Sequence, residues 1–277
     1  MNKKKSTVIL DICKYLILIA GAISMLFPFI WMVLTSFKSV SESVAIPPTW
    51  FPSEWLISNF NAVFETAPFG QYFVNTVIIS TLSTVITILI TILASFALSV
   101  LDFRGKNFIF YLFLGTMMIP SELLIIQNYV TVSKLGWLDT YQGIVLPMIS
   151  AAFYIYLLRE NFLQLPPMLY KAAKIDGCSD WKYLWKILVP NSVSSIATIG
   201  ILNFITTWNS FLWPIMVTNT DAKRVLTIGL MHFNNSASSR INLQMAGAMI
   251  VIMPMVILYL IFRKQIMQGV SRGGLKG

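Results

Sequence analysis

Few side chains in this 277-residue chain could do chemistry, and most of those lie among apolar residues. His232 is the single histidine, so no His-based catalytic or metal site is indicated. Cys13 and Cys178 lie far apart in the sequence and suggest neither a metal-ligand pair nor a disulfide framework. Glu122 interrupts a long apolar stretch, where a carboxylate could couple transport to an ion or a proton. The same residue could instead mark a helix break or line a polar pathway.

A second group of candidates lies in the segment NFITTWNSFLWP, residues 203–214. At helical spacing, its amide and hydroxyl side chains recur at i, i+3 or i+4, and i+7, which places them on one face. Hydrogen-bonding groups beside aromatic rings could line a sugar pathway, but the same groups could also hold helices together or form an interfacial belt. The candidates for substrate or pathway contact are Asn203, Thr206, Thr207, Trp208, Asn209, Ser210 and, separately, Glu122.

The longest polar interruption with the pattern of a folded segment is PPMLYKAAKIDGCSDWKYLWKILVP, residues 166–190. The two prolines at its start can begin a helix, because an N–H in the first turn has no helical partner. Gly177 can adopt the left-handed conformation that ends a helix. Ser179 or Asp180 can cap a second short helix over residues 181–189. The pattern predicts two short helices joined by a sharp turn.

This segment resembles the EAA loop of the membrane permeases of ABC importers, which reads roughly Glu-Ala-Ala, three residues, Gly, nine residues, then Ile-x-Leu-Pro. The residues at matching positions are Ala172, Ala173, Gly177, Ile187 and Pro190, with Asp176 before the glycine as in the sugar-transporting members. Lys171 stands at the glutamate position and Val189 at the leucine position. The resemblance implies that this helix docks on a cytosolic ATPase. From the residues alone, it could also be an amphipathic helix that anchors the loop to lipid headgroups. The implied coupling residues are Tyr170, Lys171, Ala172, Ala173, Asp176 and Gly177.

The elements that position these residues are predicted to be membrane-spanning helices, because 56% of the chain is hydrophobic and only 11% is charged. The sequence predicts an all-α integral membrane protein with a single transmembrane domain, 1–277, and six spans. A loop at 159–190, which carries the EAA-like motif, and another at 215–241 connect the later spans. The predicted spans are 15–37, 73–98, 108–127, 141–158, 192–214 and 242–262.

The basic residues indicate the orientation of these spans. Fifteen of the twenty Lys and Arg residues lie in the termini, the 102–106 loop and the 159–190 loop. The positive-inside rule therefore places both termini and the EAA-like loop in the cytosol. The net charge of +9 fits this topology better than nucleic-acid binding.

The Trp-Asn-x-Phe-x-x-Pro pattern at 208–214 resembles the sugar-importing branch of the same permeases, and the resemblance extends over nearly the entire chain. It implies a type I ABC importer permease fold and the shorter permease of a maltose-type carbohydrate importer in a bacterial cell membrane. An oligosaccharide is the expected substrate. The implied partners are a second, non-identical permease, two cytosolic ATP-binding subunits and an extracellular sugar-binding protein.

The ATP and Mg²⁺ of such a transporter would be bound by the ATPase subunits, since this chain has no G-x-x-x-x-G-K-[ST] motif. The chain itself is expected to be non-catalytic, with no cofactor or metal. The competing classes are an ion-coupled secondary transporter or channel that uses Glu122, and an intramembrane enzyme.

The 218–240 segment lies where the shorter permease of the maltose transporter has a loop that reaches into its binding protein. The resemblance implies a similar contact here, although a solvated hairpin is an equal alternative. The candidate contacts in this loop are Asn234, Asn235 and Ser236. The glycine-rich basic tail, residues 265–277, either runs along the ATPase or anchors the chain by its charge.

Overall fold

The computed structural model describes residues 2–149, 151–235 and 238–274. The described chain is mostly helical, as expected where apolar segments must satisfy their backbone hydrogen bonds internally. The α-helices are α1 (Asn2–Ser36), α2 (Val40–Ser43), α3 (Ser58–Thr66), α4 (Phe69–Ser99), α5 (Lys106–Thr116), α6 (Ile125–Lys134), α7 (Tyr141–Val145), α8 (Ala152–Leu163), α9 (Pro167–Ile175), α10 (Asp180–Tyr183), α11 (Val189–Asn191), α12 (Val193–Trp208), α13 (Leu212–Val217), α14 (Leu226–Gly229) and α15 (Ile241–Gly274).

Shorter elements join these helices. The 3-10 turns are Ser121–Leu124, Leu146–Met148 and Leu230–Phe233, and a π-helical turn occupies Leu184–Leu188 between α10 and α11. Strands β1 (Asn234–Asn235) and β2 (Ser238–Ser239) form an antiparallel hairpin in which Asn234 lies opposite Ser239. This hairpin is the only β-structure among the described residues.

Three helical stretches are long and apolar enough to cross a membrane: Asp11–Ser36, Phe69–Ser99 and Ile241–Arg263. Three bent helix pairs also qualify by length and composition, which raises the possible number of spans to six. The bent pairs are Lys106–Thr116 with Ser121–Lys134 at 88°, Tyr141–Met148 with Ala152–Leu163 at 52°, and Asp180–Asn191 with Val193–Trp208 at 79°.

One of these bends, and a separate break between α12 and α13, relate directly to the sequence. The interruption expected around Pro120 is present, because α5 ends at Thr116 and α6 begins at Ile125. The predicted span 192–214 is not one continuous helix. Asn209 lies at the C-terminus of α12, where its side-chain amide donates to the Ile205 carbonyl at 3.0 Å, and a new helix begins at Leu212.

One compact unit contains the chain up to Phe69 together with Gly229–Pro254. Buried amides hold its centre together. The Asn59 Nδ2 atom donates to the Ser36 and Lys38 carbonyls at 2.9 Å each, and the Asn242 Nδ2 atom donates to the Lys38 carbonyl at 3.2 Å. These bonds satisfy carbonyl groups at the C-terminal end of α1 and just beyond it.

The second compact unit contains Gly70–Ile228 and Met255 onwards. Its central helix, α4, buries a row of Ser and Thr side chains, and small residues of this kind let neighbouring helices approach closely. Ser95 donates to the Ile155 carbonyl of α8 at 3.0 Å, and Asn203 of α12 donates to Thr84 at 3.2 Å. A Cβ atom at Gly200 would lie 3.0 Å from the Ile88 side chain, so α4 and α12 are in close contact.

Two basic side chains cap the C-terminal end of α4. Lys106 Nζ donates to the Ser99 carbonyl at 2.9 Å and to the Leu101 carbonyl at 2.8 Å. Arg159 Nε donates to the Leu98 carbonyl at 3.1 Å. Positive charge is favourable at this end of a helix, so these contacts fix the start of α5 and the end of α8 against α4.

Candidate functional site

The first predicted helix of the EAA-like segment is confirmed as α9. It begins at Pro167 and ends before Gly177, whose φ of +71° is left-handed. The Gly177 N–H donates to the Lys174 carbonyl at 3.1 Å, and the Cys178 N–H donates to the Ala173 carbonyl at 2.8 Å. This pair of bonds is the Schellman arrangement that a glycine after a helix favours. The second helix is capped by Ser179, which accepts from the Lys182 N–H at 3.3 Å.

Polar contacts connect the two short helices. Asp180 Oδ1 accepts from the Tyr170 hydroxyl at 2.6 Å and pairs with Lys174 Nζ at 2.6 Å. The hydrogen bond that Lys174 donates to Asp180 raises the pKa of Lys174 above its ordinary value. The Lys174 and Asp180 side chains are each nearly half exposed, so their ion pair contributes little stability. The rings of Tyr170 and Tyr183 meet edge to face with centroids 4.9 Å apart, which makes the elbow a packed structure.

The outer side of α9 is exposed and largely apolar. Met168 and Ile175 are 68% and 86% exposed, and Leu169, Lys171 and Ala172 are exposed beside them. Residues 168, 172 and 175 follow the i, i+4, i+7 spacing of one helix face. This helix therefore presents an uncovered apolar face that includes one lysine, Lys171. Asp176 and Gly177, which follow the helix, are also exposed.

The inner side of α9 is packed into the second unit. Ala173 is 7% exposed and lies in a hydrophobic cluster that also draws on α4, α8, the helical stretch 180–191 and α12. The other buried members of this cluster are Ile92, Phe96, Tyr154, Leu158, Phe162, Tyr183, Leu184, Leu188 and Ile199. The predicted coupling residues thus divide between an exposed face and a side that is continuous with the long helices.

The predicted polar stripe of α12 also contains both buried and exposed residues. Asn203 and Thr207 are buried; Asn203 donates to Thr84 of α4, and the Thr207 hydroxyl donates to the Asn203 carbonyl at 2.9 Å. Thr206 and Asn209 are exposed, and Ser210 is half-buried. The structure therefore places part of the stripe in helix packing and leaves part of it on the surface.

Two tryptophans of the same segment lie in the core. Trp208 is 2% exposed and packs edge-on against Phe73 of α4. The Nε1 atom of Trp213 donates to the Gly143 and Ile144 carbonyls of α7 at 3.2 and 3.1 Å. Neither ring lies on the surface of this chain, as a sugar platform or an interfacial belt would require.

Glu122 lies in the 3-10 turn at the sharpest bend, where it is exposed among exposed apolar residues such as Met118 and Leu123. Ser121 donates to Glu122 Oε1 at 3.4 Å. Among the described residues, no Lys or Arg forms an ion pair with Glu122.

A polar network that the sequence did not reveal holds the 218–226 segment. Asn75 Nδ2 donates to the Ala222 and Arg224 carbonyls at 3.0 and 2.8 Å, and Asn75 Oδ1 accepts from the Tyr141 hydroxyl at 2.9 Å. Lys223 Nζ lies 3.8 Å from the Tyr141 ring centroid. The sequence identifies Asn75 as polar, but no local spacing links it to partners 66 or more residues away.

The remaining predicted positions lie in the loop after α14 and in the tail. Asn234 and Asn235 form β1, whereas Ser236 lies outside the described residues. Of the tail, the helical backbone of α15 is described as far as Gly274, and residues 275–277 lie outside the described residues.

Apolar helices of this length, several of them bent in pairs, define a multi-pass membrane protein. Residues 91–272 match the family model described as the inner membrane component of binding-protein-dependent transport systems, and the chain belongs to this family. It is 34% identical over 254 residues to the arabinooligosaccharides transport system permease protein AraQ of Halalkalibacterium halodurans, with 91% of each chain covered. It is 33% identical over 276 residues to the trehalose/maltose transport system permease protein MalG of Thermococcus litoralis, covering 96% of this chain and 99% of the relative.

The fold is similar to one chain of the crystal structure of a bacterial ABC transporter involved in import of the acidic polysaccharide alginate. The TM-score is 0.84 at 24% identity, with 94% of this chain and 97% of that chain covered. The predicted all-α permease fold is confirmed. The chain is a non-catalytic permease of a binding-protein-dependent ABC importer, as the names of its relatives indicate.

Proposed function

We propose that this chain is the permease subunit of an ATP-driven carbohydrate importer, that its substrate is an oligosaccharide, and that α9 is its contact with a cytosolic ATPase. The substrate class is supported by the sugar-transporting names of its relatives. The observation that carries the coupling role is the two-sided character of α9. One side is apolar and exposed, and the other is built into the core through Ala173.

This arrangement supports a mechanical role. Protein interiors are close-packed and transmit displacement, so a push on α9 reaches α4, α8 and α12 through the cluster around Ala173. The Schellman turn at Gly177 and the Tyr170–Asp180 hydrogen bond keep α9 at a fixed angle to the helix that follows. Closure of the ATPase would then move the long helices and alternate the access of the pathway. Lys171 would meet the ATPase where the family motif has glutamate.

The proposed assembly has a second, non-identical permease, two ATP-binding subunits that bind ATP and Mg²⁺, and an external sugar-binding protein. The basic residues of the termini and of the 159–190 loop support a cytosolic position for both. The exposed apolar surface around Glu122 supports a partner permease or a pathway on that side. Asn234, Asn235 and Ser236 remain the proposed contacts with the binding protein.

Within the pathway, we assign sugar contact to the exposed residues of the α12 stripe, Thr206 and Asn209, rather than to all of it. Asn203, Thr207 and Trp208 are buried against other helices of this chain, so their contribution is to hold α12 in place. Glu122 is exposed and can line the same pathway.

The experiment is a purification of the tagged chain from its native membrane in mild detergent, followed by identification of its partners by mass and reconstitution into proteoliposomes. A second permease and an ATPase, with uptake that requires ATP and the binding protein, are the expected result. Recovery of the chain alone, with uptake driven by an ion gradient and abolished by Glu122→Gln, would overturn the proposal. That result would favour the secondary-transporter alternative.

A further inference from the structure

The segment between α2 and α3 carries a cluster of exposed aromatic side chains outside the sites described above. Residues 46–55, here called the aromatic segment, contain Trp50, Phe51 and Trp55, which are 62%, 72% and 57% exposed. Ile46, at its start, is 96% exposed. Such a concentration of uncovered apolar side chains indicates a binding surface.

The aromatic segment does not extend away from the membrane-spanning helix but folds back along it. The Trp50 ring lies edge-on against Phe27 and Trp31 of α1, with centroids 6.1 and 5.8 Å apart. Phe27 and Trp31 lie nine and five positions before Ser36, the last residue of α1. At the rise of an α-helix, Trp50 is therefore about 7–14 Å back from the end of the apolar helix.

Polar contacts hold the segment in this position at both ends. Lys38, which is 1% exposed, donates from Nζ to the Thr49 carbonyl and lies 4.4 Å from the Trp31 ring centroid. The Ser53 N–H donates to Glu42 Oε1 at 3.0 Å. Hydrogen bonds from Ser53 lower the pKa of Glu42 to about 2, so this contact is kept at neutral pH.

We infer that residues 46–55 form a lipid-binding surface in the headgroup region of the leaflet that contains the C-terminal end of α1. Trp50 places the segment level with the last turns of α1, whose own residues there, such as Ile30, are more than half exposed. The apolar surface of the segment is thus continuous with that of the spanning helix. This inference rests on α1 crossing the membrane and not on the role of α9.

The composition of the segment fits an interface rather than the hydrocarbon core. Trp rings are amphipathic and are typical of the membrane–water boundary. The three prolines of IPPTWFPSEW prevent a regular helix, and irregular backbone needs water or headgroups for its hydrogen bonds. The segment has one acidic residue, Glu54, and no Lys or Arg.

The test measures quenching of a fluorophore by lipids that carry a nitroxide near the headgroup. The complete transporter, with Cys13→Ser and Cys178→Ser, receives a single labelled cysteine as Trp50→Cys or Phe51→Cys and is reconstituted in phosphatidylcholine vesicles. The control is Ser41→Cys, because Ser41 is exposed in the neighbouring helix α2. Trp50→Cys removes the ring contacts of Trp50 with α1, so the label at position 51 provides a variant in which those contacts are kept.

We expect at least twofold stronger lipid quenching at positions 50 and 51 than at position 41. Equal quenching at all three positions, with full access to a water-soluble quencher, would overturn the inference and indicate a surface for the binding protein. Protection of positions 50 and 51 from both quenchers would also overturn it, because a second permease would then cover the segment. None of these readings depends on sugar uptake.

Discussion

Substitutions of Gly177 test whether the angle of the α9 elbow is needed for transport. Gly177 has φ +71°, and a Cβ atom added there would meet nothing within 4 Å, so only the backbone conformation restricts the residue type. Alanine should cost about 1–2 kcal/mol in this left-handed region, whereas asparagine visits it more readily. Proline fixes φ near about −65°, so Gly177→Pro demands a rotation of about 136°.

Proline has two further local effects. It removes the N–H that donates to the Lys174 carbonyl at 3.1 Å, at a cost of about 1 kcal/mol. It also disfavours helical geometry at the preceding residue, and Asp176 has φ −74° and ψ 8°. We therefore expect sugar uptake to be near wild type in Gly177→Asn, lower in Gly177→Ala and lost in Gly177→Pro.

The assay is uptake of labelled oligosaccharide into proteoliposomes, with ATP hydrolysis measured in parallel and the amount of permease determined by immunoblot. Gly136 is the matched control, because its φ is +68° and its Cβ position is also open. Gly136→Pro strains the backbone to a similar extent but lies outside the elbow. Wild-type uptake in Gly177→Pro at normal abundance, or equal losses in both proline variants, would refute the coupling role of the elbow.

Four further substitutions test the second unit by the midpoint of thermal unfolding in detergent, and sugar uptake is measured as well for the variant at Thr206. Trp213→Phe should lower stability by about 1–3 kcal/mol, because two buried carbonyl groups lose their donor. Gly143→Ala should cost about 3 kcal/mol or more, because its Cβ would lie 2.1 Å from the Trp137 carbonyl oxygen and the backbone must move. Asn203→Leu should lower stability by about 1 kcal/mol, whereas Thr206→Val should leave it unchanged and lower sugar uptake.

The controls for these variants come from the same helices or from open positions. Gly115→Ala should not lower the unfolding midpoint, since nothing lies within 4 Å of its Cβ position and alanine is favoured over glycine in a helix. An unchanged unfolding midpoint in Gly143→Ala would contradict the close contact described here between α7 and the Trp137 carbonyl. Normal uptake in Thr206→Val would remove that residue from the proposed pathway.

The fold of the EAA-like segment could be predicted from sequence because its signals are local. The two prolines, Gly177 and the Ser179 cap each act within one helical turn, and all of them function as their residue types suggest. The break near Pro120 was predictable for the same reason, because a proline removes a backbone donor wherever it stands.

The side-chain environments of α12 could not be predicted, since its polar stripe does not say which of its side chains pack against other helices and which stay exposed. Trp208 could equally have faced lipid, a sugar or a neighbouring helix, and only the packing against Phe73 of α4 decides between them. The network around Asn75 depends on residues brought together by the fold, so no spacing along the chain reveals it.

The most direct test of the central claim is photo-cross-linking from the exposed face of α9 in the native membrane. A photoreactive amino acid at Ile175, which is 86% exposed, should form a covalent adduct with the ATPase subunit. The control position is Ile46, which is 96% exposed and belongs to the aromatic segment, and it should give no such adduct. Adducts of Ile175 with lipid alone, in a transporter that imports sugar, would contradict the account and make α9 an interfacial anchor.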